Sequence, residues 1–169
     1  MPYDVSAFRA QFPALTEGAA HFDGPGGTQV PTRVAQAVYD ALTSAVANRG
    51  RVTAAERRAE GLVAEGRSAL ADLLGITADS HRIIVGRSMT SLTYEVSRAL
   101  AKTWAPGDEV VVTRLDHDAN VRPWVQAAAA VGAEVRWVDF EPGNGELPTA
   151  AVQAALSART RLVAVTAAA

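Results

Sequence analysis

Two stretches of this chain concentrate side chains that could do chemistry. The first, Gly86-Arg87-Ser88-Met89-Thr90-Ser91-Leu92-Thr93, sets hydroxyls where an apolar β-branched run gives way to a helical pattern. Free amides at a helix N-terminus, the positive end of its dipole and the two adjacent hydroxyls of Thr90 and Ser91 together suit a phosphate. The same residue types also serve simply as helix caps. The second stretch is Asp116-His117-Asp118-Ala119-Asn120-Val121-Arg122-Pro123-Trp124. Pro123 fits the first turn of a following helix, which leaves His117, Asp118 and Asn120 on the loop before it. A histidine between two aspartates is biased toward its charged form at neutral pH. The alternative is a solvated loop in which Asn120 merely caps the helix.

A third stretch, Asp23-Gly24-Pro25-Gly26-Gly27-Thr28, is a shaped loop. It has neither the Gly-x-Gly-x-x-Gly spacing of a dinucleotide site nor the Gly-Lys-Ser/Thr of a nucleotide P-loop. Gly26 and Gly27 offer close backbone approach to a ligand or a neighbouring chain.

The elements that must position these residues follow from periodicity. A short amphipathic segment covers Val5–Phe12. Val34, Val38, Ala41, Leu42 and Ala45 recur at helical spacing after Thr32. Thr53 can cap a second helix that carries Leu62, Val63, Leu70, Leu73 and Leu74 to a stop at Gly75, with Gly61 and Gly66 weakening its middle. Short β-branched runs then alternate with helices. The strands are expected at Arg82–Val85, Glu109–Thr113, Glu134–Val138 and Arg161–Thr166, and the helices at Thr90–Lys102, Asn120–Val131 and Pro148–Leu156. Near-continuous apolar strands such as Val110-Val111-Val112, each separated by a helix, argue for an α/β domain with parallel strands covered on both faces. Ligands of such sheets bind beyond the carboxyl ends of strands, where the first two stretches fall.

Composition narrows the classes. With 49% hydrophobic and 20% charged residues over 169 positions, the chain has the balance of one globular domain. A net charge of −2 without a basic stripe argues against nucleic acid as a partner. No apolar run approaches the ~20 residues that cross a bilayer, and no signal core opens the chain, so a cytoplasmic location is expected. The absence of cysteine excludes disulfides and thiolate chemistry within this stretch, and three scattered histidines speak against a metal site. Fifteen arginines stand against one lysine, Lys102, which reads as a solvated charge at a helix C-terminus.

Taken in order, these residues resemble the class V aminotransferase and cysteine desulfurase group of fold-type-I pyridoxal-phosphate enzymes, above all its cysteine-desulfurase-like branch. The likeness is carried by Phe22-Asp23-Gly24-Pro25-Gly26-Gly27-Thr28-Gln29-Val30-Pro31, by Met89-Thr90-Ser91-Leu92-Thr93 and by Asp116–Trp124, with Pro106-Gly107-Asp108-Glu109-Val110-Val111-Val112-Thr113 between the last two. The resemblance implies a three-layer α/β/α large domain with a mostly parallel sheet, incomplete here. It implies pyridoxal 5'-phosphate as cofactor, an amino acid as substrate, and a homodimer for the intact protein. Thr90 and Ser91 would bind the phosphate. His117 would stack on the pyridine ring as the catalytic histidine, and Asn120 would hydrogen-bond the ring's phenolic oxygen. Gly26, Gly27 and Asp118 would lie on the substrate side.

The chain departs from the family in two ways. Many cysteine desulfurases carry a second histidine where this chain has Asp118, which bears on the substrate. The family's aspartate at the pyridine nitrogen and its cofactor-anchoring lysine lie beyond the last strand read here. Residues 1–31 are therefore expected to form an N-terminal segment with the glycine loop, and 32–169 the N-terminal part of the cofactor-binding large domain. Later strands of the family would flank Arg82–Val85. The expectation is a fragment, inactive alone, of a desulfurase, lyase or aminotransferase. The alternative is a non-catalytic domain that keeps the cradle for a phosphate ligand or a partner.

Overall fold

The computed structural model describes residues 3–76 and 79–167. Met1 and Pro2 of the opening segment, and Ala168 and Ala169 after the last apolar run, lie outside the described residues. The chain divides into two compact units, Met1–Ile84 and Val85–Ala169.

The first unit is helical. Helix α1 (Val5–Arg9) starts where the Asp4 carboxylate accepts the Ala7 amide at 3.0 Å, and a 3-10 turn, Pro13–Glu17, follows. Helix α2 spans Thr32–Thr43, and the amide of Thr32 donates to the Gln11 carbonyl, tying α2 to the opening segment. Helix α3 (Ala54–Leu73) begins with a capping box in which the Thr53 hydroxyl accepts the Glu56 amide while the Glu56 carboxylate accepts the Thr53 amide. It runs unbroken through Gly61 and Gly66 and stops before Gly75, whose φ of +71° only glycine adopts freely. The preceding loop is laced to this helix by the Arg49–Glu60 fork at 2.7 and 2.8 Å.

The expected strand at Arg82–Val85 does not form. Arg82 closes a 3-10 turn, Ser80–Arg82, and the residues after it carry no regular structure, with Ile84 and Val85 exposed. A strand exists only with a neighbour to take its amides and carbonyls. No strand among the described residues lies beside it.

The second unit is a parallel α/β layer. Helix α4 (Met89–Ala101) leads to β1 (Glu109–Thr113), α5 (Arg122–Val131), β2 (Glu134–Val138), α6 (Thr149–Ala155) and β3 (Thr160–Ala164). The sheet order is β2-β1-β3, with both pairings parallel. Because the chain winds one way from β1 to β2 and back across β1 to reach β3, right-handed crossovers place α5 and α6 on opposite faces. The burial of every β1 residue agrees with this. Val110 and Val112 pack with Trp124, Ala128 and Ala164, and the small side chains of Ala127 and Ala128 let α5 lie close to the sheet. Gly132, at φ +72°, ends α5 and turns the chain into β2.

The amino end of β1 is fixed electrostatically. Glu109, 1% exposed, accepts the Ser157 hydroxyl at 2.7 Å and the Arg159 guanidinium at 2.6 and 3.2 Å. The hydrogen bond from Ser157 and then that from Arg159 hold its pKa below the ordinary 4.5 against the opposing cost of burial. Asp108 is held below 3.8 chiefly by the Ala105 amide, with Arg161 assisting. A carboxylate depressed on folding stabilises the native state above its ordinary pKa, and this contribution fades as pH falls through the folded value. Melting temperature is therefore expected to fall as pH drops from about 4.5 toward 3, and Glu109→Gln to be less stable at neutral pH but flatter in acid. Parallel melting curves for the two proteins across that range would refute this clamp.

Candidate active site

The hydroxyl-rich stretch opens α4. The Ser88 hydroxyl accepts the Ser91 amide at 3.2 Å and lies 3.2 Å from the Ser91 hydroxyl, so the capping role falls to Ser88. Thr90 and Ser91 are the second and third residues of the helix. Among the described residues, the amides of Met89 and Thr90 and the Thr90 hydroxyl have no hydrogen-bond partner. These are the orphan donors of a helix start, on the positive end of a 13-residue helix. Beside them lies an open cleft of about 550 Å³, lined by Arg87, Ser91, Tyr94, Glu95 and Arg98. Such a seat can hold a dianion.

The loop after β1 is organised from the strand end. The Thr113 hydroxyl, fully buried, accepts the amides of Leu115 (3.3 Å) and Asp116 (3.2 Å) and donates to one oxygen of the Asp116 carboxylate. The other Asp116 oxygen accepts the Asn120 Nδ2 at 2.7 Å, and the Asn120 Oδ1 accepts the Trp124 indole N–H at 3.2 Å. An indole nitrogen only donates, so it dictates which end of the Asn120 amide is oxygen. One Nδ2 hydrogen goes to Asp116, and among the described residues the second has no partner.

His117 is exposed. Its Nδ1 accepts the Ala119 amide at 3.1 Å and so caps a 3-10 turn, Asp118–Asn120. The two flanking aspartates each have other partners. Asp116 is committed to Thr113 and Asn120, and Asp118 pairs with Arg122 at 2.8 Å. The simple capping role for Asn120 is corrected: the N-cap of α5 is Val121, without a side-chain cap, and Pro123 sits in the first turn as expected.

Helix α4 packs against the 3-10 turn, which brings the two stretches onto neighbouring elements of one unit. The hydrogen bond that Arg122 donates to Asp118 raises its pKa, and Tyr94 of α4 adds a smaller share. Lys102 is the C-cap of α4. Twelve residues of helix put it about 18 Å along the axis from Thr90, beyond its side chain's reach.

In the first unit, Gly26 and Gly27 donate their amides to the Asp23 carbonyl at 3.1 and 3.3 Å, in a turn that borders an open cleft of about 470 Å³. Sequence reading passed over Thr113 and left Asp116 and Trp124 without roles. Their signal was the spacing Thr113, Asp116, Asn120, Trp124, in steps of three and four residues.

With this geometry in view, comparison with known proteins is decisive for the family. The aminotransferase class-V model matches residues 20–169, and the chain belongs to that family. It is 36% identical over 165 residues to an uncharacterized protein of Mycobacterium tuberculosis, covering 98% of this chain and 41% of that protein. It is 30% identical over 174 residues to a cysteine desulfurase of Pectobacterium atrosepticum, covering 98% and 42%. The fold is that of cysteine desulfurases. The structure of CsdA from Escherichia coli superposes with a TM-score of 0.79 at 26% identity, covering 96% of this chain and 41% of that one. The apo cysteine desulfurase of Thermococcus onnurineus gives 0.84 at 21% identity, covering 96% and 40%. The chain thus spans about two fifths of the length of the relatives it matches.

Proposed function

We propose that this chain is the N-terminal, cofactor-binding part of a pyridoxal-phosphate enzyme that acts on an amino acid by desulfurase, lyase or aminotransferase chemistry. Family membership supports the reading, and relatives are named as cysteine desulfurases. The observation that carries it is the pairing, on packed elements, of an unsatisfied helix start at Met89 and Thr90 with an exposed imidazole at His117 and a spare amide hydrogen on Asn120.

When bound, pyridoxal phosphate supplies an electron sink for charge developing at the substrate's α-carbon. The chain's own residues hold and orient it. The amides of Met89 and Thr90, with the hydroxyls of Thr90 and Ser91, seat the phosphate. His117 would stack on the ring. Asn120 donates to the phenolic oxygen. Asp118 would lie on the substrate side, and the intact protein would work in the cytoplasm as a homodimer whose anchoring lysine is not Lys102. The 169-residue chain alone is inactive, because Lys102 stands at the wrong end of α4.

His117→Ala in the full gene product tests the stacking role. Loss of one aromatic stacking contact, worth about 0.5–1.5 kcal/mol, weakens the cofactor by up to ~10-fold. Misorientation of the ring should cost turnover about 100-fold. Unchanged turnover and an unchanged visible spectrum of the bound cofactor would contradict the assignment.

A further inference from the structure

We infer that Asp116 is a positioning residue for the cofactor site, acting through Asn120. The inference rests on the reading of Asn120 as a donor to the phenolic oxygen. Asp116 is partly buried and its two oxygens are divided between two tasks. One is held by the Thr113 hydroxyl at the carboxyl end of the central strand, and the other holds the Asn120 Nδ2 at 2.7 Å. Trp124 fixes the opposite end of the same amide at 3.2 Å.

An asparagine on a loop would otherwise choose among rotamers and two amide orientations, with only one presenting N–H to an acceptor. Here the choice is made before any ligand arrives. The strand end sets Asp116, Asp116 and the indole set the amide, and one hydrogen on Nδ2 is left pointing at a fixed place. Such preorganisation strengthens binding because the bound conformation is already the free one. A carboxylate suits the task because it accepts on both oxygens and donates from neither.

Asp116→Asn keeps the side chain's shape but replaces one acceptor with a donor, so it can satisfy Thr113 or Asn120 but not both. The experiment is a double-mutant cycle of Asp116→Asn and Asn120→Ala in the full gene product, read by equilibrium binding of pyridoxal 5'-phosphate and by the absorption maximum of the bound form. Each single substitution is expected to weaken binding about 10-fold. Both should shift the absorption maximum in the same direction, and the double variant should bind no worse than Asn120→Ala, because a positioning residue has nothing left to position. Losses that multiply to about 100-fold would overturn the proposal while leaving the cofactor reading intact. So would unchanged affinity and spectrum in Asp116→Asn. Failure of the parent protein to bind pyridoxal phosphate would overturn the cofactor reading, and this inference with it.

Discussion

Trp124→Ala is expected to lower the stability of the sheet-containing unit by about 3–5 kcal/mol, measured by urea unfolding. The indole is 7% exposed and packs against Val110, Val112 and Ala128. Its neighbours on α5 and β1 belong to regular elements whose backbone hydrogen bonds resist collapse into the vacated space, so most of the cavity would persist. The ring also donates to the Asn120 Oδ1 at 3.2 Å. Trp124→Phe separates the two contributions. Phenylalanine keeps much of the packing but leaves a partly buried carbonyl oxygen without its donor, at a cost of about 1–3 kcal/mol. The same variant should weaken cofactor binding, since only Asp116 then holds the orientation of the Asn120 amide. A Trp124→Ala protein within about 0.5 kcal/mol of the parent, the range of ordinary surface substitutions, would show that α5 is not anchored on this ring.

Much of this unit was legible because its signals are local. Three valines in a row between Asp108-Glu109 and Thr113 read as a strand covered on both faces, and every β1 residue is buried. Thr53 with Glu56 wrote the start of α3, and Gly75 its end. Pro123 fixed where α5 begins. What could not be read depends on partners distant in sequence. The residues Arg82–Val85 have strand composition, yet composition cannot supply a neighbouring strand. For a related reason the partners of the two aspartates beside His117 could not be read: adjacency along the chain says which charges are near, but not where each carboxylate is spent. Asp116 is spent on Thr113 and Asn120, and Asp118 on Arg122. Likewise the partners that close over Glu109, Ser157 and Arg159, lie 48 and 50 residues away, beyond what local pattern can announce.

The phosphate seat carries the larger functional effect. Two hydroxyls and two amides converge where α4 begins, and the helix dipole adds to each. Hydrogen bonds to a charged group are worth about 1.5–3 kcal/mol each, so a ligand that keeps its phosphate should gain at least ~100-fold over one that lacks it. Thr90→Val and Ser91→Ala remove the hydroxyls while sparing the amides and the Ser88 cap, and should erase most of that gain without touching the ring contacts of His117 and Asn120. The most direct measurement is therefore the affinity of the full gene product for pyridoxal 5'-phosphate against pyridoxal, in the parent and in the Thr90→Val, Ser91→Ala double variant. The account predicts a gap of about 100-fold or more that narrows about 10-fold or more in the variant. Equal affinity for the two ligands in the parent, or a gap that the substitutions leave unchanged, would contradict it.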